Sequence, residues 1–284
     1  MSKDEIERES RNGRLAGIAG LLGVILYASS FAIAPDFNSA ERAEKLQTFD
    51  AASGDFLLQT IVQALALILF APVLVGFFRA VQARNETVRP GLIGLAMICT
   101  VLLAGSTVAA YVGYDAASDA FLATDAGVDV ESNDDADDVY FEQTATQLYT
   151  GLGFAGSFAL VFVTIYTSLF AMRAGMMTRF VGTLAMALGA GTLLFGLPML
   201  LVFIVLISLL MARFWPGTLP PAWDAGEAIP WLRPGETAAS TGPEEDELAR
   251  PEDFEGTATE VNEEPDERPG RRDNKRKRKR KQRG

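Results

Sequence analysis

The side chains that carry most enzymatic chemistry are scarce in this 284-residue chain, which has no histidine and a single cysteine, Cys99, inside an apolar run. Haem ligation by histidine, His-based zinc chemistry, Ser-His-Asp or Cys-His nucleophiles and imidazole pH switches all need the missing ring. One cysteine makes neither an intramolecular disulfide nor a cysteine metal site. Walker A, GxSxG and HExxH patterns are also absent from the sequence. Three clusters remain. The run ESNDDADDVYFE sets Glu131, Asn133, Asp135, Asp137 and Glu142 at the ligand spacing of a calcium loop. The fit is poor, because the first position calls for Asp and the sixth, here Ala136, calls for Gly. A solvated acidic loop is the preferred reading over a divalent-cation site. Gln59 and Gln63 stand one helical turn apart in an apolar stretch and are the candidates for lining a cavity. Near the end of the chain, Arg271, Arg272, Lys275, Arg276, Lys277, Arg278, Lys279, Arg280, Lys281 and Arg283 form a polybasic block.

The elements that position these clusters are set by hydropathy. Residues 15–34, 56–78, 91–114 and 148–172 are free of charge and apolar on every side. Each is long enough for a hydrocarbon core roughly 30 Å thick, and a soluble helix would show a polar face instead. Arg179 and Arg213 bracket a longer uncharged run of 33 residues, which would make one helix of roughly 50 Å. Cutting it at Gly196-Leu197-Pro198 gives spans 180–195 and 198–213, each slightly short. The expected fold is therefore all-α, a polytopic transmembrane helix bundle. Six helices are preferred, with five, the last long and kinked at Pro198, as the alternative. A cleaved leader ending at Ala32-Ile33-Ala34 is set aside because Pro35 would follow the cut and the apolar run is too long.

Charge sets the orientation. Lys3, Arg8, Arg11, Arg14, Arg79, Arg84, Arg89, Arg173, Arg179 and Arg213 fall on one side of the spans, and only Arg42 and Lys45 on the other. By the positive-inside rule residues 1–14 are cytoplasmic, and with six spans the C-terminus is too. Residues 115–145, with ten acids and no base, form an external acidic loop. In the first external connection Asn38 and Glu41 have capping-box spacing for a short helix lying on the membrane with Leu46 and Phe49 on one face.

Within the spans, hydroxyls at Ser29, Ser30, Ser106, Thr107, Thr164, Thr167 and Ser168 are expected to bond to backbone or across helices in preference to lining a substrate path. Gly13, Gly17, Gly20 and Gly23 mark a close-packing face of the first span, and Gly151, Gly153, Gly156, Gly182, Gly189 and Gly191 do so in the later ones. The GLGFAG stretch follows no strand, so it is a packing surface and not a dinucleotide fingerprint.

Residues 215–235 hold all three tryptophans, Trp215, Trp223 and Trp231, among prolines. They are expected to lie along the headgroup zone as interfacial anchors. The segment RFWPGTLPPAWDAGEAIPW, after a short apolar pair of helices, resembles the end of small multi-pass membrane proteins of actinobacterial type, a family of about six helices with no assigned function. That resemblance implies the six-helix count and no site residue.

Residues 236–284 form a tail expected to be disordered, first acidic and then polybasic, on a chain of formal net charge −11. Beside a membrane the basic block gains about 1 kcal/mol per base from anionic lipid. RNA or ribosome contact and a merely solubilising tail are the alternatives. The functional expectation is a noncatalytic membrane protein, structural or interaction-mediating, at the cytoplasmic membrane, with no cofactor. A small-solute transporter or permease is the alternative, and a ribosome-contacting membrane protein the second.

Overall fold

The computed structural model describes residues 3–35, 41–123, 133–229 and 231, and these form helices joined by turns and irregular segments, with no strand among them. The helices are α1 (Lys3–Ser30), α2 (Arg42–Ala51), α3 (Ser53–Arg84), α4 (Ile93–Leu122), α5 (Asn133–Glu142), α6 (Thr144–Arg173), α7 (Arg179–Phe195), α8 (Leu197–Met211) and the single turn α9 (Ala222–Ala225). Four of them, α1, α3, α4 (with its leading turn from Pro90) and α6, are long and apolar enough to cross a membrane; α7 and α8 are shorter apolar helices. The tail 236–284 and every polybasic residue from Arg271 to Arg283 lie outside the described residues, as do Asn38 and Glu131.

The long helices overrun their apolar segments. α1 starts at Lys3, because Asp4 and Glu5 suit the helix N-terminus and Asp4/Arg8 and Glu7/Arg11 are spaced four apart. The residues expected to form a separate polar terminus are thus its first turns. Packing follows glycine. A Cβ on Gly17 would lie 2.6 Å from the Ser208 carbonyl oxygen and 2.7 Å from the Ala212 nitrogen, so α1 and α8 meet backbone to backbone. Gly23 on α3, Gly113 and Gly156 between α4 and α6, and Gly182 against Met172 make similar approaches.

The uncharged run after Arg179 is two helices. Gly196 sits at φ 71°, ψ −155°, a backbone state essentially confined to glycine, and Pro198 follows in the first turn of α8. The hairpin is short, since 17 and 15 residues give about 26 and 22 Å. Its tip lines one cavity with Leu67, Ser106 and Gly153. Beyond those three residues α3, α4 and α6 continue by roughly 13 to 24 Å.

Those projecting ends carry a second, smaller core. Ala43 and Leu46 of α2, Ala117 and Phe121 of α4, and Ala136 and Tyr140 of α5 are buried together. Phe49 stacks on Phe56 and Tyr114. Two expectations change here. Leu46 and Phe49 face protein and not a membrane surface, and Glu41 occupies the N-cap of α2 without a side-chain cap bond. The described part of the acidic segment is also folded, as the end of α4 and the whole of α5, because Ala136 and Tyr140, four apart, give α5 one apolar stripe to bury.

Gly17→Ala should lower the melting temperature of the purified protein in detergent by several degrees, since the methyl must separate α1 from α8. Gly54→Ala, in a helix with no atom within 4 Å of the new Cβ, should leave it unchanged or raise it slightly, as helix propensity gains up to about 1 kcal/mol. Equal effects would contradict the packing described.

Candidate functional site

The shortness of the α7–α8 hairpin leaves a space above its tip. It is a cavity of about 470 Å³ between α3, α4, α6 and the hairpin, within the usual size of small-molecule sites. Its polar wall is hydroxylic, from Ser106 and Thr107 of α4, Tyr149, Thr150 and Ser157 of α6, and Thr192 of α7, and no charged side chain lines it. Ser106 Oγ donates across helices to the Tyr149 carbonyl at 3.0 Å. Thr107, Thr150 and Thr192 donate to carbonyls four residues back in their own helices. Such hydroxyls keep acceptor capacity, so the cavity suits an uncharged molecule with a hydrogen-bond donor.

Gln59 and Gln63 are half-buried on α3 and do not line this cavity; Leu67, one turn further along the Gln63 face, does. Of the other hydroxyls, Ser29, Ser30, Thr164 and Thr167 bond to carbonyls of their own helices. Cys99 is buried in α4.

At the opposite end of the bundle one cation is buried. The Arg84 side chain is 1% exposed and its guanidinium reaches three elements. Nε donates to the Ala222 carbonyl at 2.7 Å, and Nη1 to Glu9 Oε1 of α1 at 2.6 Å and to the Ala80 carbonyl. The remaining fork nitrogen donates to the Trp223 carbonyl at 3.3 Å, and the guanidinium carbon lies 5.6 Å from the Trp223 ring centre. Planar donors in a fixed fork make this geometry available to Arg and not to Lys. The sequence reading counted Arg84 only as one of the flanking bases. The missed signal is its spacing, since Phe70, Phe77 and Arg84 are seven apart and all buried on α3, which places Arg84 in the apolar stripe.

The tryptophans are tied to the same end. Trp223 is buried and its indole donates to the Met176 carbonyl at 2.9 Å; Trp231 donates to the Met177 carbonyl at 2.7 Å. Trp215 packs half-buried against the main core. The Ile229 amide donates to the Ala174 carbonyl, and Arg213 pairs with Asp224 at 2.9 Å. The described residues after α8 thus dock on the α6–α7 turn, with Trp223 packed against protein.

At the acidic end, Arg42 Nε donates to Asp137 Oδ1 at 2.8 Å and Nη1 to the Tyr114 hydroxyl at 2.9 Å, and the guanidinium lies over the Tyr140 ring at 4.2 Å. Asn133 accepts the Ala43 amide at 3.1 Å. Burial works against the Arg42 charge, but the Asp137 hydrogen bond and the neighbouring tyrosines hold its pKa above the ordinary value. Burial, followed by Tyr114, pushes the Tyr140 phenol well above the ordinary tyrosine range. Asn133, Asp135, Asp137 and Glu142 therefore stand on a helix, where steps of two turn side chains about 200° apart. They do not converge as a calcium loop would. Among the described residues no group of three or more His, Cys, Asp or Glu is placed to hold a metal ion.

No protein-family model, curated protein or solved structure matches this chain. The class that fold and site define is an all-helical bundle with four helices long and apolar enough to span a membrane. It holds an uncharged cavity and has a buried arginine knot at one end.

Arg84→Ala strands Glu9 and the Ala222 and Trp223 carbonyls, and should cost about 3–5 kcal/mol, read as a large loss of thermal stability in detergent. Arg84→Lys should recover only a minority of it. Because the folded pKa of Tyr140 lies above the unfolded value of about 10, its contribution is complete below pH 10 and is lost as pH rises beyond it. Melting temperature should fall more steeply above pH 10 in the wild-type protein than in Tyr140→Phe. Parallel curves would remove the tyrosine from the cause.

Proposed function

We propose that this protein is a noncatalytic integral membrane protein of six crossings, with both termini cytoplasmic, and that its polybasic tail is drawn to the anionic inner leaflet, in a structural or interaction-mediating role at the cell membrane. The observation that carries the reading is the gathering of charge by end. Arg84 and Arg213 are tied to the docked segment, and the other bases that flank the spans stand at that same end, whereas Arg42 and Lys45 share the other end with α5. The chain leaves toward its tail from the arginine-rich end. That arrangement is what the positive-inside rule gives for a cytoplasmic face, and it supports a tail on the side where anionic lipid is found. An even number of passes follows whether the short hairpin crosses fully or stops below the far surface. The likeness of residues 213–231 to the actinobacterial multi-pass family enters this reading as a proposal with the rest.

A second reading, a permease for a small uncharged solute, is favoured by the hydroxyl-lined cavity. Thr192→Val with Ser106→Ala would then abolish uptake while leaving folding intact.

Alkaline-phosphatase fusions after Gly196 should be active and those after Arg233 inactive; activity after Arg233 would overturn the topology. Deleting residues 271–284 should abolish recruitment of acidic vesicles by the protein held in neutral nanodiscs at low salt. Recruitment that survives the deletion, or transfers to ribosomes alone, would overturn the lipid role.

A further inference from the structure

A second concavity, of about 690 Å³, runs between α1 and α3 at the arginine-rich end. It exists because both walls are small: Gly13 and Ala16 on one side, Gly76 and Ala80 on the other, with Met211 at the floor. A Cβ on Gly76 would come within 2.8 Å of Met211 Cε, so even a methyl would begin to close it. From Glu9 to Ala19 the groove follows ten residues of α1, roughly 15 Å of helix, and changes character on the way. Its inner part, at Ala19, Pro72 and Val75, is apolar, and its mouth carries Glu9, Asn12 and Arg79.

Two features of the mouth are unsatisfied. Glu9 Oε1 takes the Arg84 bond, but Oε2 is buried without a partner, and a buried acceptor left empty costs as much as a lost hydrogen bond. Arg79 is exposed and makes no ion pair or hydrogen bond among the described residues. Since Arg84 and Glu9 neutralise each other, the charge left over is the single positive charge of Arg79. The complementary occupant has one net negative charge for Arg79 and a hydrocarbon chain for the inner groove. A second cation on Glu9 would instead sit beside the Arg84 guanidinium.

We infer that the α1–α3 groove is a binding site for a phospholipid whose headgroup carries one net negative charge. Its phosphate accepts from Arg79, and an acyl chain lies along Ala16, Ala19 and Pro72. The site rests on the membrane reading alone and is separate from the tail. Surface attraction through the tail is screened by salt, whereas a seated headgroup is not.

The test uses the full-length protein in detergent, offered equal amounts of phosphatidylglycerol, phosphatidylethanolamine and phosphatidylcholine, washed in about 0.5 M salt to strip loosely held lipid, and examined by native mass spectrometry. One phosphatidylglycerol should be retained in preference to the others. Arg79→Gln, at an exposed position, should lower that retention about tenfold, the loss of a charge-assisted hydrogen bond. Ala19→Leu, which fills the inner groove, should lower it without touching the charges. Equal retention of phosphatidylcholine would show adventitious hydrocarbon only, and preference for phosphatidylethanolamine would overturn the headgroup assignment. Loss of all lipid on deleting residues 271–284, with Arg79→Gln silent, would assign the binding to the tail and overturn the groove.

Discussion

One guanidinium holds the arginine-rich end together. Arg84 is the last residue of α3, yet it is buried like the core residues before it, and beyond its own helix its partners lie on α1 and on the segment after α8. A buried charge is costly unless paired and fully hydrogen-bonded. The carbonyls of Ala222 and Trp223 and the carboxylate of Glu9 meet that demand. The first turns of α1, the end of α3 and the segment after α8 are therefore fixed in one arrangement by a single side chain. The α1–α3 groove opens beside this knot, with Glu9 belonging to both.

The two ends of the bundle solve different problems. In the middle, apolar helices surrounded by apolar surface gain little from burying one another, and close glycine contacts supply the packing. At the acidic end, α2 and α5 are polar helices held by a few buried groups and by Arg42. Exposed leucines, isoleucines and phenylalanines girdle the middle, a distribution suited to hydrocarbon and not to water.

Long uninterrupted apolar runs were legible because nothing else in a sequence resembles them, and Gly196 was legible because glycine and proline adjoin in an otherwise featureless stretch. The folded acidic end was not, since its core rests on Ala136 and Tyr140 meeting residues some 90 positions away, among carboxylates that read as solvated. The docking of Trp223 on the α6–α7 turn was not legible for a related reason. A segment rich in tryptophan and proline has the same composition whether its rings lie among headgroups or against another part of the chain, and only the Met176 carbonyl distinguishes the two. The cavity was not legible, because no sequence feature announces that α7 and α8 end before their neighbours.

That mismatch in helix length is one-sided. Thr178 caps the start of α7 and the Arg213–Asp224 pair secures the chain just beyond α8, so both feet of the hairpin are level with the arginine-rich surface and the entire deficit falls at the tip. Were this flank set in a bilayer, the lipid beside it would have to shorten at the tip of the hairpin and not at its feet, at a cost of fractions of a kcal/mol per Å.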